Sequence, residues 1–210
     1  MSDLYEKLEE EFRKAYSDYN DSVSKLGMAF GKESCLYVLK FCLENKPLKV
    51  VDLGSGISSY VLRLYQYHSD DDVIVYSIDD HKGWLGRAKD FCSGYNLNTD
   101  NFLHGIDKID DEKGDFDLVI HDYGSMGTRT NNIVNAFDLT KVGGTVIYDD
   151  CHKLGYYNIV KNKMKDLSQE VIELDETEEN SEEARKYYAG SNYFDLPKRR
   201  FCVKVVKEEQ

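Results

Sequence analysis

Apolar positions recur at three- and four-residue steps at the start of the chain. Leu4, Leu8, Phe12, Ala15, Tyr16 and Tyr19 stand among charged residues, which predicts an amphipathic helix over 2–22. Cys35, Val38, Leu39 and Cys42 repeat the spacing and predict a second helix over 33–45, with Pro47 as its stop. From Leu48 the pattern changes to short apolar runs at 48–54, 73–79, 101–104, 116–121, 144–149, 170–174 and 201–206. Helical spacing fills the gaps at Ile57–Tyr65, Trp84–Tyr95, 130–139 and Tyr156–Leu167. Strands this uniformly apolar are buried on both faces. The expectation is an α/β fold: a mostly parallel seven-stranded sheet with helices on both faces, closed by an antiparallel C-terminal hairpin.

Composition narrows the class of partner. The 210 residues carry 27 Lys and Arg against 39 Asp and Glu, a formal charge of −12. That balance disfavours nucleic acid, whose binding needs a dense basic surface to release counterions. No run approaches the length of a membrane helix, and the acidic start MSDLYEKLEEEF is unlike a secretion signal. Five widely spaced cysteines without a CxxC pair fit a reducing, cytoplasmic setting and core packing. The acidic run 176–183 reads as a solvated loop.

The chemistry concentrates after the first strand, in Val50-Val51-Asp52-Leu53-Gly54-Ser55-Gly56-Ile57-Ser58-Ser59. Glycines between a parallel strand and its helix let a ligand approach the backbone, and the helix start offers free N–H groups. Asp79 ends the second strand 25 residues after Gly54, near the offset at which an acid meets a ribose hydroxyl pair. Together they point to a ligand containing adenosine. A dinucleotide turn would carry glycine where Ser59 stands, and Asp52 suits a cationic ligand better than a pyrophosphate.

DLGSGIS followed by YSIDD resembles the class I S-adenosylmethionine-dependent methyltransferases, from about Val50 to the C-terminus. The resemblance implies a Rossmann-like domain over 48–210 behind an N-terminal helical extension over 1–47. It implies that Gly54 and Gly56 form the cofactor turn, that Asp52 lies beside the amino-acid moiety, and that Asp79 takes the ribose. It also puts Ile106 and Asp107, within HGID, near the adenine. Trp84 and Tyr123 offer aromatic faces to a sulfonium, although Trp84 also fits a packing role.

Two further strand ends are acidic: His121-Asp122, and Asp149-Asp150 with His152 just beyond. Carboxylates gathered in one crevice repel each other unless a cation joins them, and an all-oxygen set suits Mg²⁺; an Asp-rich turn is the alternative. The arrangement resembles metal-assisted small-molecule O-methyltransferases of the catechol and macrolide-sugar type, which implies metal ligation by Asp122, Asp149 and Asp150. Ser125 stands where sugar-modifying relatives often carry histidine, which leaves His152, His121 or Asp122 itself for the catalytic proton transfer. The implied activity is methyl transfer to an oxygen of a small-molecule acceptor. Methylation of nucleic acid or protein, and a non-catalytic cofactor-binding subunit, are the alternatives. The N-terminal helix could cover the cofactor or form a homodimer contact. YYAGSNYF (187–194), Lys198-Arg199-Arg200 and Arg129 are candidates for contact with the acceptor.

Overall fold

A computed structural model describes residues 2–24, 29–179 and 200–209. Two helices, α1 (Ser2–Ser22) and α2 (Lys32–Asn45), precede the first strand, β1 (Lys49–Leu53). Then come α3 (Ile57–His68), β2 (Ile74–Asp79), α4 (Lys82–Gly94), β3 (Phe102–His104), a 3₁₀ stretch at Ile106–Glu112 and β4 (Phe116–His121). The chain continues through α5 (Met126–Asn131), α6 (Ile133–Leu139), β5 (Thr140–Tyr148), α7 (Leu154–Asp166), β6 (Ile172–Glu179) and β7 (Arg200–Val206). The seven strands form one sheet in the order β3-β2-β1-β4-β5-β7-β6. The first five are parallel, and β7 runs antiparallel to both β5 and β6.

Side-chain alternation divides the core in two. Val50, Leu118, Ile120, Ile147 and Cys202 face α1, α2 and α3, whereas Val51, Leu53, Val119, Val146, Tyr148 and Val203 face α5, α6 and α7. The apolar stripe of α1 lies wholly inside the first core, where Leu8, Phe12 and Ala15 are fully buried. All five cysteines are buried and unbridged, as core packing requires. No helix among the described residues is long and apolar enough to cross a membrane.

The fold departs from expectation in two places. The helical pattern over 130–139 is divided at Asn132, which ends α5 and opens α6. The acidic run is strand up to Glu179, where a loop was expected. Thr177 is buried there and accepts the Cys202 N–H at 2.8 Å, while Glu179 Oε1 accepts the first α2 amide, Lys32 N, at 2.7 Å. Edge pairing and a helix N-terminus absorb polar groups that a solvated loop would leave in water.

Because α1 is core and not an appendage, Phe12→Ala is expected to cost about 3–5 kcal/mol of unfolding free energy. A urea titration followed by circular dichroism measures it; an unmoved midpoint would show that α1 is dispensable.

Candidate active site

The strand order reverses direction beside β1, where β2 leaves on one side and β4 on the other. Such a reversal opens a crevice beyond the carboxyl ends of the strands. Here it is a cavity of about 310 Å³, walled by the turn Gly54-Ser55-Gly56, by Asp79, Asp80, His81 and Trp84 after β2, and by Asp122, Gly124, Ser125 and Arg129 after β4. Tyr19, Ser24, Ala29 and Phe30 supply a further wall from the N-terminal segment.

The turn is built for close backbone approach. Gly54 has φ +102°, and a Cβ there would run into the Asp122 carbonyl. Only glycine therefore fits between β1 and β4, whose backbones are joined just there by Asp122 N donating to Leu53 O at 2.7 Å. Asp79 reaches the cavity with little exposure. Its Oδ2 accepts from Ser55 Oγ at 2.8 Å and its Oδ1 from His81 N at 2.8 Å, and burial raises its pKa.

Asp52 does not reach the cavity wall. Period-two alternation aims it, like Val50, at the face under α3, where its Oδ2 accepts from Ser58 Oγ at 2.9 Å and Ser59 Oγ at 2.5 Å. Ser77 Oγ donates to Ser59 Oγ at 2.9 Å, and the buried Arg63 Nη1 donates to Ser77 Oγ at 2.7 Å. Asp52, expected beside a ligand, anchors the helix start beneath the turn. Burial pushes its carboxyl up to about 7.

The adenine assignment also moves. Ile106 and Asp107 lie outside the cavity wall. The Ile106 amide donates to Tyr123 Oη at 3.2 Å, and the exposed Asp107 pairs with Lys108 at 2.9 Å. Tyr123 is itself buried in the second core, away from the wall, whereas Trp84 borders the cavity with the Arg87 guanidinium 5.0 Å from its ring.

Asp122, Asp149 and Asp150 do converge, with one oxygen of each lying within 4.8 Å of the others. Each is already held by a cation. The Arg129 guanidinium bridges Asp122 Oδ1 and Asp150 Oδ2 through its two terminal nitrogens. Lys153 Nζ meets the same Asp150 oxygen at 2.5 Å, and Arg200 Nη2 holds the fully buried Asp149 at 2.7 Å. Cys202 Sγ takes the other Asp149 oxygen at 3.3 Å. Burial pushes the Asp122 carboxyl up, and Asp149 and Asp150 add to it against the pull of Arg129. Burial acts on Asp150 in the same sense, but Arg129, Arg200 and Lys153 hold it below the ordinary carboxylate range. Three carboxylates facing three cations do not fit an open Mg²⁺ site, which needs free oxygens and room for water.

Neither histidine lies in the cavity wall. His121 is fully buried, its Nε2 is bonded to the Arg129 carbonyl at 2.9 Å, and burial pushes its pKa down to about 3. His152 sits behind Asp150, with Nδ1 3.7 Å from Asp150 Oδ1, and burial lowers its pKa too. Of the candidates named for proton transfer, only Asp122 borders the cavity. Arg200 turns inward to Asp149, away from any acceptor; residues 187–194, Lys198 and Arg199 lie outside the described residues. Sequence reasoning offered the N-terminal segment as a cover for the cofactor but did not single out Tyr19, Ser24, Ala29 and Phe30, since nothing local to these residues marks a ligand contact.

No protein-family model and no curated protein matches the sequence. Solved structures do match its fold. An O-methyltransferase from Bacillus cereus in complex with SAH aligns at TM-score 0.61 and 13% identity, over 96% of this chain and 91% of that one. Cofactor-bound Rv0187 from MTB aligns at TM-score 0.64 and 13% identity, over 95% and 91%. The O-methyltransferase TomG from Streptomyces achromogenes, involved in tomaymycin synthesis and in complex with SAM, aligns at TM-score 0.60 and 13% identity, over 93% and 89%. The chain shares the Rossmann-like fold of these structures.

The buried Asp52 carries a pH signature. Its folded pKa, about 7, lies above the ordinary 3.8, so its contribution to stability is full below about pH 4 and is lost as pH rises through 7. Asp52→Asn keeps an oxygen for the serines without this loss. Urea unfolding of both proteins from pH 4 to 8 should show wild type losing up to about 4 kcal/mol relative to the variant; parallel curves would contradict it.

Proposed function

We propose that this protein transfers a methyl group from S-adenosylmethionine to an oxygen of a small-molecule acceptor. The observation that carries the reading is the Gly54–Gly56 turn facing the Asp79 carboxylate across one cavity at the sheet's reversal point. Its support from likeness is that structures of the same fold, named above, hold SAM or SAH and include O-methyltransferases.

The donor set suits this cofactor. The turn exposes backbone where a side chain cannot stand, and the acidic side chains Asp79 and Asp80 in the wall favour a sulfonium over a pyrophosphate. Asp79 would accept the two ribose hydroxyls in place of the Ser55 hydroxyl, and Trp84 would flank the nucleoside with an aromatic face. When bound, S-adenosylmethionine supplies an electrophilic methyl carbon on a positively charged sulfur. Asp122 borders the same cavity, its backbone against Gly54, and would take the proton of the acceptor hydroxyl as its oxygen attacks in line. Much of the rate gain would come from placing acceptor and methyl donor together in a pocket walled on one side by the N-terminal segment. No step is assigned to a divalent ion, because the carboxylates that would bind it are held by Arg129, Lys153 and Arg200. The limited cavity and net charge of −12 favour a small acceptor over nucleic acid.

Calorimetric titration with S-adenosylmethionine tests the binding half. Asp79→Ala is expected to weaken affinity about 10- to 100-fold, as the loss of a charge-assisted hydrogen-bond pair implies. Absence of binding at millimolar cofactor, or equal affinity in the variant, would refute the reading. A panel of phenol, catechol and sugar acceptors, with SAH release as the readout, tests the transfer half. Asp122→Asn should lower kcat about 100-fold or more while leaving cofactor affinity in place.

A further inference from the structure

We propose that Arg129 supplies from within the chain the positive charge that a divalent ion supplies in a metal-assisted methyltransferase, so that methyl transfer here needs no metal. The inference rests on the methyltransferase reading for its function, although its structural content stands apart from it.

The guanidinium occupies the midpoint of the carboxylate cluster. One terminal nitrogen meets Asp150 and the other meets Asp122, so the two strand ends after β4 and β5 are joined through a single planar cation. The same Nη2 also donates to Asp122 O at 3.0 Å and Gly124 O at 3.4 Å. The helix that presents it is pinned as well. Ser125 caps α5 by accepting from Thr128 N, and His121 Nε2 is bonded to the Arg129 carbonyl from inside the core. Arg129 is only 7% exposed, yet it forms part of the cavity wall beside Asp122.

Charge bookkeeping points the same way. Asp150 is also held by Lys153 and Asp149 by Arg200, which makes three cations for three carboxylates. A divalent ion entering this set would add two charges beside three cations and would have to expel a buried, multiply bonded guanidinium. Arginine stays charged at any working pH, and its fork matches carboxylate geometry. Its role is positioning. It holds the Asp122 carboxylate beside the cavity and stabilises negative charge that develops there, which are tasks a metal would perform by coordination.

Titrating the full chain with Mn²⁺, after chelator treatment and with paramagnetic resonance of the free ion as readout, needs no turnover. Wild type is expected to show no saturable binding up to about 1 mM, the weak end of carboxylate sites. Arg129→Met opens Asp122 and Asp150 and should raise Mn²⁺ affinity at least about tenfold. Arg129→Gln, which also removes the charge, should gain Mn²⁺ affinity in the same way and serves if the methionine variant does not fold. Turnover by wild type should be the same with and without chelator. Micromolar Mn²⁺ binding by wild type that Asp149→Asn abolishes would overturn the proposal, as would turnover lost to chelator and restored by Mg²⁺. If S-adenosylmethionine fails to bind while Mn²⁺ also fails, the methyltransferase reading falls and the cation substitution stands.

Discussion

Neutralising the negative charge gathered at the carboxyl ends of β4 and β5 is the constraint on which this site depends. Asp122, Asp149 and Asp150 follow directly on neighbouring parallel strands, and one oxygen of each lies within 4.8 Å of the others. Uncompensated, such a cluster would drive its members to take up protons or unfold the strand ends. The chain answers with cations from three different elements: Arg129 on α5, Lys153 at the start of α7 and Arg200 at the start of β7. The pairs hold the loops after β4 and β5 together and tie the C-terminal hairpin to the carboxyl ends of the parallel strands. Asp150 takes a left-handed backbone, φ 60°, to present its carboxylate to two of those cations, a conformation that Asp tolerates better than most residues.

A second buried polar chain supports the Gly54–Gly56 turn. Arg63, Ser77, Ser59 and Asp52 relay hydrogen bonds from α3 through β2 to β1. Arg63 lies 4.0 Å from the Phe102 ring and donates to the Asp100 carbonyl, so its charge is spread over polar and aromatic partners. Such a network fixes where α3 begins relative to β1, and hence how far the Gly54–Gly56 backbone stands from the cavity. The two polar clusters flank the reversal point, one beneath the turn and the other beyond β4 and β5.

Placement of the N-terminal helices shows why composition alone undervalues a segment. Residues 1–47 precede the repeating β-α unit and read as an extension, yet Leu8, Phe12, Ala15, Leu39 and Cys42 are fully buried in the same core as Val50 and Ile57. Tyr19 comes close enough that a Cβ on Gly56 would meet its hydroxyl at 3.3 Å. The segment thus closes one side of the cavity as well as covering one face of the sheet.

Local pattern determined the element order, the two-sided burial of the strands and the importance of Gly54 and Asp79. These follow from hydrophobic period and from what a turn beside a strand end permits, both properties of contiguous residues. Trp84 bordering the cavity and the convergence of the three acids were within reach for the same reason, once the strands were known to be parallel. The meaning of each acid was not. Asp52 points under α3 because β1 alternates in register with its neighbours, and Asp122 is bridged to Asp150 because α5 folds back over two strand ends. The cation that answers the carboxylate at 149 stands 51 residues later in sequence, at the start of β7. The burial that turns His121 and His152 away from proton chemistry arises from helices packed over both faces of the sheet. Charge pairing and desolvation are properties of residues brought together in space, so only the tertiary structure decided them.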